Sequence, residues 1–263
     1  MLPSFELFGR EFSMYTICAI FGLCVCGLVA TLLGKKYKLA VEDIVLFMLS
    51  AALGLIVGGH ILYGIVNIPL LIKVIAAIPS LSFGNTMTAL WAVFGGSVFY
   101  GGMFGSLIAL KIHIKHSKHE SRHIMMNIYA VSVPLFHVFG RIGCFLGGCC
   151  YGIESSFGFT VHNNTYVPDI NGVSRFPVAL LEAALNLIVF FVVLYMFKKF
   201  REKYSLIHLY LFLYSIVRFS TEFLRGDEIR GIWGPFSTSQ WISLAIFVYT
   251  VIRFIVKKVK ARE

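Results

Sequence analysis

Seven long apolar runs constrain this chain more than any other feature of its sequence. A transmembrane helix needs about 20 mainly apolar residues to cross a bilayer. Because 58% of the residues are hydrophobic and only 14% are charged, the chain is too apolar for a soluble domain of this length. We therefore predict an all-α, polytopic membrane protein that forms a single domain over residues 1–263. The seven predicted transmembrane helices lie at 12–34, 41–66, 85–110, 124–148, 176–197, 205–224 and 236–256.

The segment 67–84 is also apolar, but Pro69 and Pro79 interrupt it. Proline inside a helix removes a backbone hydrogen bond and clashes with the preceding turn. We expect this segment to be an interfacial or re-entrant piece and not an eighth span.

Basic residues are concentrated in every second loop, and short loops rich in lysine and arginine stay in the cytoplasm. The intervening loops 67–84 and 152–175 hold only Lys73 and Arg175. This alternation predicts an N-terminus outside the cell and a C-terminus in the cytoplasm. It also explains the net charge of +10 without nucleic-acid binding. The basic loop residues are Lys35, Lys36, Lys38, Lys111, Lys115, Lys118, Arg122, Lys198, Lys199, Arg201, Lys203, Lys257, Lys258, Lys260 and Arg262.

Several ionisable or polar residues interrupt the apolar runs, and such residues usually face a water-filled cavity, a partner or a substrate. With the predicted orientation, all of them fall in the middle or the outer half of the membrane. They therefore favour a site that is open to the outer leaflet. They are His60, Tyr100, His137, Arg141, Glu182, Arg218, Glu222 and Arg225.

The charges of this set suggest what the site binds. Arg218 and Glu222 are four residues apart and share one helix face. Alone, this pair is equally well explained as an internal ion pair that holds helices together. With Arg141, Arg225 and Glu182 at a similar depth, three guanidiniums face two carboxylates. The expected surplus of positive charge fits an anionic headgroup such as a phosphodiester, which the planar guanidinium fork recognises well.

Cys144, Cys149 and Cys150 follow Arg141 closely and allow three interpretations. They lack the Cys-x-x-Cys spacing, and a zinc site would need a fourth ligand such as His137. A reactive thiol would need a lowered pKa, which the nearby Arg141 would favour. Free cysteines are common interior residues, so packing is the preferred interpretation. We predict no metal and no cofactor.

Residues 140–149 read Gly-Arg-Ile-Gly-Cys-Phe-Leu-Gly-Gly-Cys. This stretch resembles the signature Gly-Arg-x-Gly-Asn-Phe-x-Asn-Gly-Glu of the prolipoprotein diacylglyceryl transferase family. Further segments are similar to motifs of the same family, in the same order along nearly the whole chain. They are Tyr15 in the first run and the segments 95–105, 175–182, 214–227 and 239–243.

The resemblance implies a reaction in the bacterial cytoplasmic membrane, at a site facing the outer leaflet. The family transfers the diacylglyceryl group of phosphatidylglycerol to the lipobox cysteine of a prolipoprotein signal peptide and releases glycerol phosphate. The partners implied by the resemblance are phosphatidylglycerol, the prolipoprotein signal peptide and the surrounding membrane lipids. No nucleic acid is implied. The implied catalytic residues are Arg141, Arg218, Tyr100 and Glu222. Arg141 and Arg218 would stabilise the leaving phosphate, and Tyr100 would handle the proton of the thiol. The implied substrate-binding residues are Tyr15, His60, Gly101, Gly102, Gly143, Glu182 and Arg225.

The sequence departs from the family pattern at positions that would lie beside the acceptor thiol or handle its proton. Tyr100 replaces a histidine, His60 replaces an arginine, and Cys144, Gly147 and Cys149 replace two asparagines and a glutamate. A phenol is a poor base at neutral pH, so His60 or His137 is an alternative proton acceptor. Two other functions stay open at this point. One is a transferase with the same lipid donor but a glycan or small-molecule acceptor. The other is a non-enzymatic seven-span protein that binds or transports lipid.

Overall fold

A computed structural model describes residues 4–7, 9–116, 122–164, 167–201, 204–227 and 231–260, and in these ranges the chain is mostly helical. The basic loop residues Lys118, Lys203 and Arg262 lie outside the described residues. The helices are α1 Met14–Lys36, α2 Val41–Val66, α3 Ile68–Ala77, α4 Phe83–Phe94, α5 Phe99–His116, α6 Arg122–Gly147, α7 Val178–Phe200, α8 Leu206–Thr221 and α9 Thr238–Lys260. Short 3-10 turns cover Ile78–Ser80, Pro168–Ile170 and Glu222–Leu224.

The part of the chain that the structure describes also contains three small antiparallel hairpins, which the sequence analysis did not predict and which join or precede these helices. They pair β1 Ser4–Leu7 with β2 Arg10–Ser13, β3 Glu154–Thr160 with β4 Ser174–Arg175, and β5 Ile232–Trp233 with β6 Phe236–Ser237.

The chain divides into two compact units. The first unit is Gly34–Met125, and the second unit combines Met1–Leu33 with Met126–Glu263. The first unit contains α2 to α5, whereas α7, α8 and α9 belong to the second unit. The single domain over 1–263 stays a prediction.

Within the described residues, the four helices α1, α2, α6 and α7 are long and apolar enough to cross a membrane, and the pair α4–α5 is a fifth candidate. The outward face of α2 illustrates why the solvent must be lipid. Leu46, Leu49, Leu53 and Ile56 recur at helical spacing, and each side chain is more than half exposed. Such a continuous aliphatic stripe would be unfavourable in water. The chain is therefore a helical membrane protein.

The transmembrane helix predicted at 85–110 is not continuous, and whether this segment crosses the membrane stays a prediction. Helices α4 and α5 meet at an angle of 92°, and residues 95–98 separate them. Glycine lowers helix propensity, and Gly95 and Gly96 stand at the break. Helix α3 has 10 residues, about half of what a span needs, in agreement with the expectation that 67–84 is not an eighth span.

Contacts from α2 satisfy the backbone at this break. The Nδ1 of His60 lies 2.7 Å from the carbonyl oxygen of Phe94 and 2.8 Å from that of Gly96. Since both partners are acceptors, Nδ1 carries the proton and donates. The N–H of Val98 donates to the carbonyl of Gly59 at 3.1 Å. Irregular backbone at membrane depth requires such partners, so His60 stabilises the bend. Its predicted role in substrate binding stays a prediction.

Glycines allow α2 and α5 to approach each other closely. Gly54 and Gly58 on α2 face Gly101 and Gly105 on α5, each pair four residues apart. A Cβ atom on any of these glycines would collide with backbone of the other helix. This is the small-residue spacing that membrane helices use for close packing.

Gly102 is also a packing position, because its Cβ would lie 2.9 Å from the carbonyl oxygen of Leu55. The structure thus gives Gly101 and Gly102 a role in the α2–α5 contact. Their role in substrate binding stays a prediction.

We predict that Gly105→Ala destabilises the protein by about 1–3 kcal/mol, the usual cost of overpacking. The added methyl group would have to displace backbone of Gly54 and Gly58. Gly27→Ala is the matched control, because a Cβ at that helical position meets nothing within 4 Å. Thermal unfolding in detergent should show a lower midpoint for Gly105→Ala alone. Equal midpoints for the two variants would contradict the close contact.

Candidate active site

Five of the predicted site residues converge in the second unit, where the helix ends carry them. Arg141 lies near the C-terminal end of α6 and Glu182 near the N-terminal end of α7. Arg218 lies near the end of α8. Glu222 begins the 3-10 turn that follows, and Arg225 comes directly after that turn. Glu182 and Glu222 are each only 2% exposed. Buried charges of this kind must be paired.

Glu182 is the centre of the cluster. One carboxylate oxygen, Oε2, lies 2.6 Å from the Nε of Arg141. The other, Oε1, lies 3.2 Å from the Nη1 of Arg218. A single carboxylate therefore joins α6, α7 and α8, with one oxygen for each guanidinium.

Arg218 has further partners besides Glu182. Its Nη2 lies 2.6 Å from the Oε2 of Glu222, one helical turn further along. The same nitrogen donates to the hydroxyl of Ser239 on α9 at 3.1 Å. Arg218 is thus held by three side chains and is 6% exposed. It is a central organiser of the cluster.

Arg225 binds Asp227, a residue to which the sequence analysis gave no role. Its Nε donates to Oδ1 at 2.9 Å and its Nη2 to Oδ2, so the pair is bidentate. The expected surplus of positive charge is therefore wrong for the described residues. Three guanidiniums face three carboxylates, and the cluster is formally neutral. The position of Asp227, two residues after Arg225, was the available signal.

Cys150 lies beside two arginines of the cluster, Arg141 and Arg225. The Sγ of Cys150 is 3.9 Å from the Nη1 of Arg141 and 3.6 Å from the Nη2 of Arg225. Hydrogen bonding with the thiols of Cys144 and Cys149, and then the charges of Arg225 and Arg141, hold the pKa of Cys150 well below its usual value despite burial. Cys150 follows the end of α6, and Arg141 contributes less to its lowered pKa than the two neighbouring thiols do.

His137, an alternative proton acceptor, lies one helical turn before Arg141 on α6 and is 5% exposed. Its Nδ1 is 3.4 Å from the hydroxyl of Tyr210, and its ring lies 4.7 Å from the ring of Tyr214, measured between centroids. Two aromatic side chains of α8 therefore contact it.

Two more predicted residues meet where α1 packs against α6. A Cβ at Gly143 would lie 3.0 Å from the Cβ of Cys18 and 3.2 Å from the Cα of Tyr15. Gly143 is therefore a close-contact position, and the structure brings it together with Tyr15. The Tyr15 side chain is itself exposed.

The remaining predicted residues, Tyr100, His60, Gly101 and Gly102, lie in the first unit. Tyr100 occupies the first turn of α5 and is 3% exposed. Its ring stacks on that of Phe104 with a centroid distance of 6.5 Å. The role of Tyr100 in proton transfer stays a prediction.

Comparison with known proteins agrees with the family suggested by the motifs. The family described as "Prolipoprotein diacylglyceryl transferase" matches residues 4–256. A protein of Clostridium tetani named phosphatidylglycerol–prolipoprotein diacylglyceryl transferase is 30% identical over 95% of this chain and 97% of its own length. A relative in Clostridium perfringens, named as transferase 2 of this type, is 29% identical over 98% and 96%. A similarly named protein of Campylobacter jejuni is 28% identical over 98% and 93%.

We predict that Glu182→Gln destabilises the protein by about 3–5 kcal/mol, because it leaves two buried guanidiniums without their shared carboxylate. Glu154→Gln is the matched control. Glu154 is exposed and forms a single 3.4 Å ion pair with Arg175, so its loss should cost less than about 1 kcal/mol. Thermal unfolding of both variants in detergent tests this difference. A Glu182→Gln midpoint within the range of the control would argue against a central role for this carboxylate.

Proposed function

Because this chain belongs to the prolipoprotein diacylglyceryl transferase family, we propose that it moves the diacylglyceryl group of phosphatidylglycerol to a lipobox cysteine thiol. The acceptor is the signal peptide of a prolipoprotein in a bacterial cytoplasmic membrane. The observation that carries this proposal is the buried cluster of Arg141, Glu182 and Arg218, whose residues stand at the positions of the family motifs.

The reaction is a displacement at carbon. The thiolate sulfur forms a bond to the terminal glycerol carbon of the diacylglyceryl group, and the bond between that carbon and the phosphate oxygen breaks. The electron pair of the broken bond leaves with glycerol phosphate, and the thiol proton passes to a base. Negative charge therefore develops on the phosphate, where positioned cationic donors lower the barrier.

Arg141 is the residue we assign to the leaving phosphate. Glu182 holds its Nε at 2.6 Å, which fixes the plane of the guanidinium and directs Nη1 toward Cys150. Pre-organised donors of this kind need no rearrangement during the reaction.

Arg218, held by Glu182, Glu222 and Ser239, supports this geometry and adds positive charge beside the phosphate. We assign Arg225 with Asp227 to headgroup binding. Tyr15 and Gly143 line the α1–α6 contact next to Arg141 in our proposal.

We predict that Arg141→Lys lowers transfer by about 10²–10³-fold, the usual loss when one charge-stabilising donor is removed. The assay uses the purified protein, labelled phosphatidylglycerol and a lipobox peptide, and it measures the thioether product. Arg253→Lys on the exposed face of α9 is the control and should keep full activity.

Full transfer by Arg141→Lys would remove the phosphate role. Headgroup release without peptide lipidation would indicate another acceptor. Binding of the lipid without turnover would indicate a non-enzymatic protein.

We keep Tyr100 as the proposed proton-handling group, because it stands at the position of the family histidine. Tyr100→Phe should then slow transfer by about 10²-fold or more, as expected for a lost proton-transfer group. Tyr249→Phe, on an exposed position of α9, serves as the control. An unchanged rate for Tyr100→Phe would exclude its hydroxyl and leave His137→Asn as the next variant to measure.

We further propose seven crossings, with α4–α5 counted as one span and with α8 and α9 as the sixth and seventh. The N-terminus lies outside and the site faces the outer leaflet. Cys149, which is exposed, should then react with a membrane-impermeant maleimide in intact cells, and Cys149→Ser should lose this label. A fluorescent protein fused after Glu263 should fluoresce, because this orientation places the C-terminus in the cytoplasm. Labelling of Cys149 only after permeabilisation would reverse the orientation.

A further inference from the structure

Three thiols lie together at the end of α6, in addition to the ion cluster. The Sγ atoms of Cys144, Cys149 and Cys150 are all within 4.8 Å of one another. The Sγ atoms of Cys149 and Cys150 are 3.8 Å apart. A disulfide needs sulfur atoms about 2.0 Å apart, so this arrangement is too open for one.

The same spacing fits a metal ion. Sulfur ligands at about 2.3 Å from a metal lie about 3.8–4.0 Å from one another, in tetrahedral or trigonal geometry. The three sulfurs therefore need only small side-chain adjustments to share one ion. Among the described residues this group contains three ligands, whereas structural zinc sites use four. Soft thiolates bind Cu(I) as well as Zn²⁺. Three thiolates complete the shell of Cu(I), whereas a zinc ion held by three would keep water as a fourth ligand.

We propose that Cys144, Cys149 and Cys150 form a three-thiolate binding site for Cu(I). The site goes beyond the proposed transferase function and does not depend on it.

Arginine side chains provide the outer shell of this site. The Nη2 of Arg225 and the Nη1 of Arg141 approach the Sγ of Cys150 at 3.6 and 3.9 Å. Donors of this kind orient a metal-bound thiolate and offset part of its negative charge. Asp227 binds Nε and Nη2 of Arg225, and Glu182 binds Nε of Arg141, so both guanidiniums are held in a fixed direction.

The three thiols differ in exposure, and this difference gives the ion a route to the site. Cys149 is exposed, Cys150 is half-buried and Cys144 is buried. A cation can therefore reach Cys149 first and be enclosed by the other two sulfurs. The hydrogen bond from the Cys149 thiol to the Cys144 carbonyl, at 3.8 Å, must break when the metal ion displaces the thiol proton into solvent.

The test titrates Cu(I) into the reduced, full-length protein in detergent, in competition with the coloured chelator bicinchoninate. We expect one Cu(I) per chain. Cys149→Ser should weaken binding by at least about 100-fold, the upper end of what loss of an outer-shell partner costs. Cys24→Ser is the matched control, because Cys24 is an exposed thiol on α1 outside the group, and it should bind as the wild type does.

Equal Cu(I) binding by wild type and Cys149→Ser would overturn the proposal, and so would tighter binding of Zn²⁺ than of Cu(I). X-ray absorption of the wild type loaded with Cu(I) gives an answer that needs no variant. A shell of three sulfur atoms supports the site, and a shell containing nitrogen or oxygen ligands overturns it. Neither measurement involves lipid transfer, so failure of the transferase assay would leave this result unaffected.

Discussion

The carboxylate of Glu182, shared between Arg141 and Arg218, is the interaction on which the rest of the site depends. Taking charges out of water costs several kcal/mol per ion, and attraction between them repays this only with good geometry. A network of this kind is therefore a weak source of stability. What it provides is direction, because it aligns guanidiniums from separate helices in a medium where water cannot reorganise around them.

In our proposal, the formal neutrality of the cluster, counted over the described residues, changes how the site recognises an anion. A surplus of positive charge would attract any anion, whereas balanced charges favour a ligand whose shape and hydrogen bonds fit. Asp227 already forms the two-pronged contact with Arg225 that a phosphate would form. If Arg225 binds the headgroup as we propose, the headgroup must compete with the carboxylate of Asp227, and this competition would favour it over free anions.

The sequence predicted the long apolar helices α1, α2, α6 and α7 because their composition alone determines that lipid must surround them. It also predicted the set of arginines and glutamates, since charges in apolar runs are expensive and need partners. The break at 95–98 was missed because hydropathy records composition and not the path of the backbone. Its stability comes from His60, more than thirty residues earlier in the chain. The pairing of Arg225 with Asp227 was missed because Asp227 lies just beyond an apolar run, where charged residues are common and do not by themselves indicate a buried partner.

The bend between α4 and α5 has a mechanical consequence. His60 and Gly59 tie the irregular backbone at 95–98 to α2, while interlocking glycines press α5 against the same helix. Tyr100 lies in the first turn of α5, two residues after Val98. A tilt of α2 within the bilayer would therefore carry the phenol ring with it, so membrane thickness can set where that hydroxyl sits.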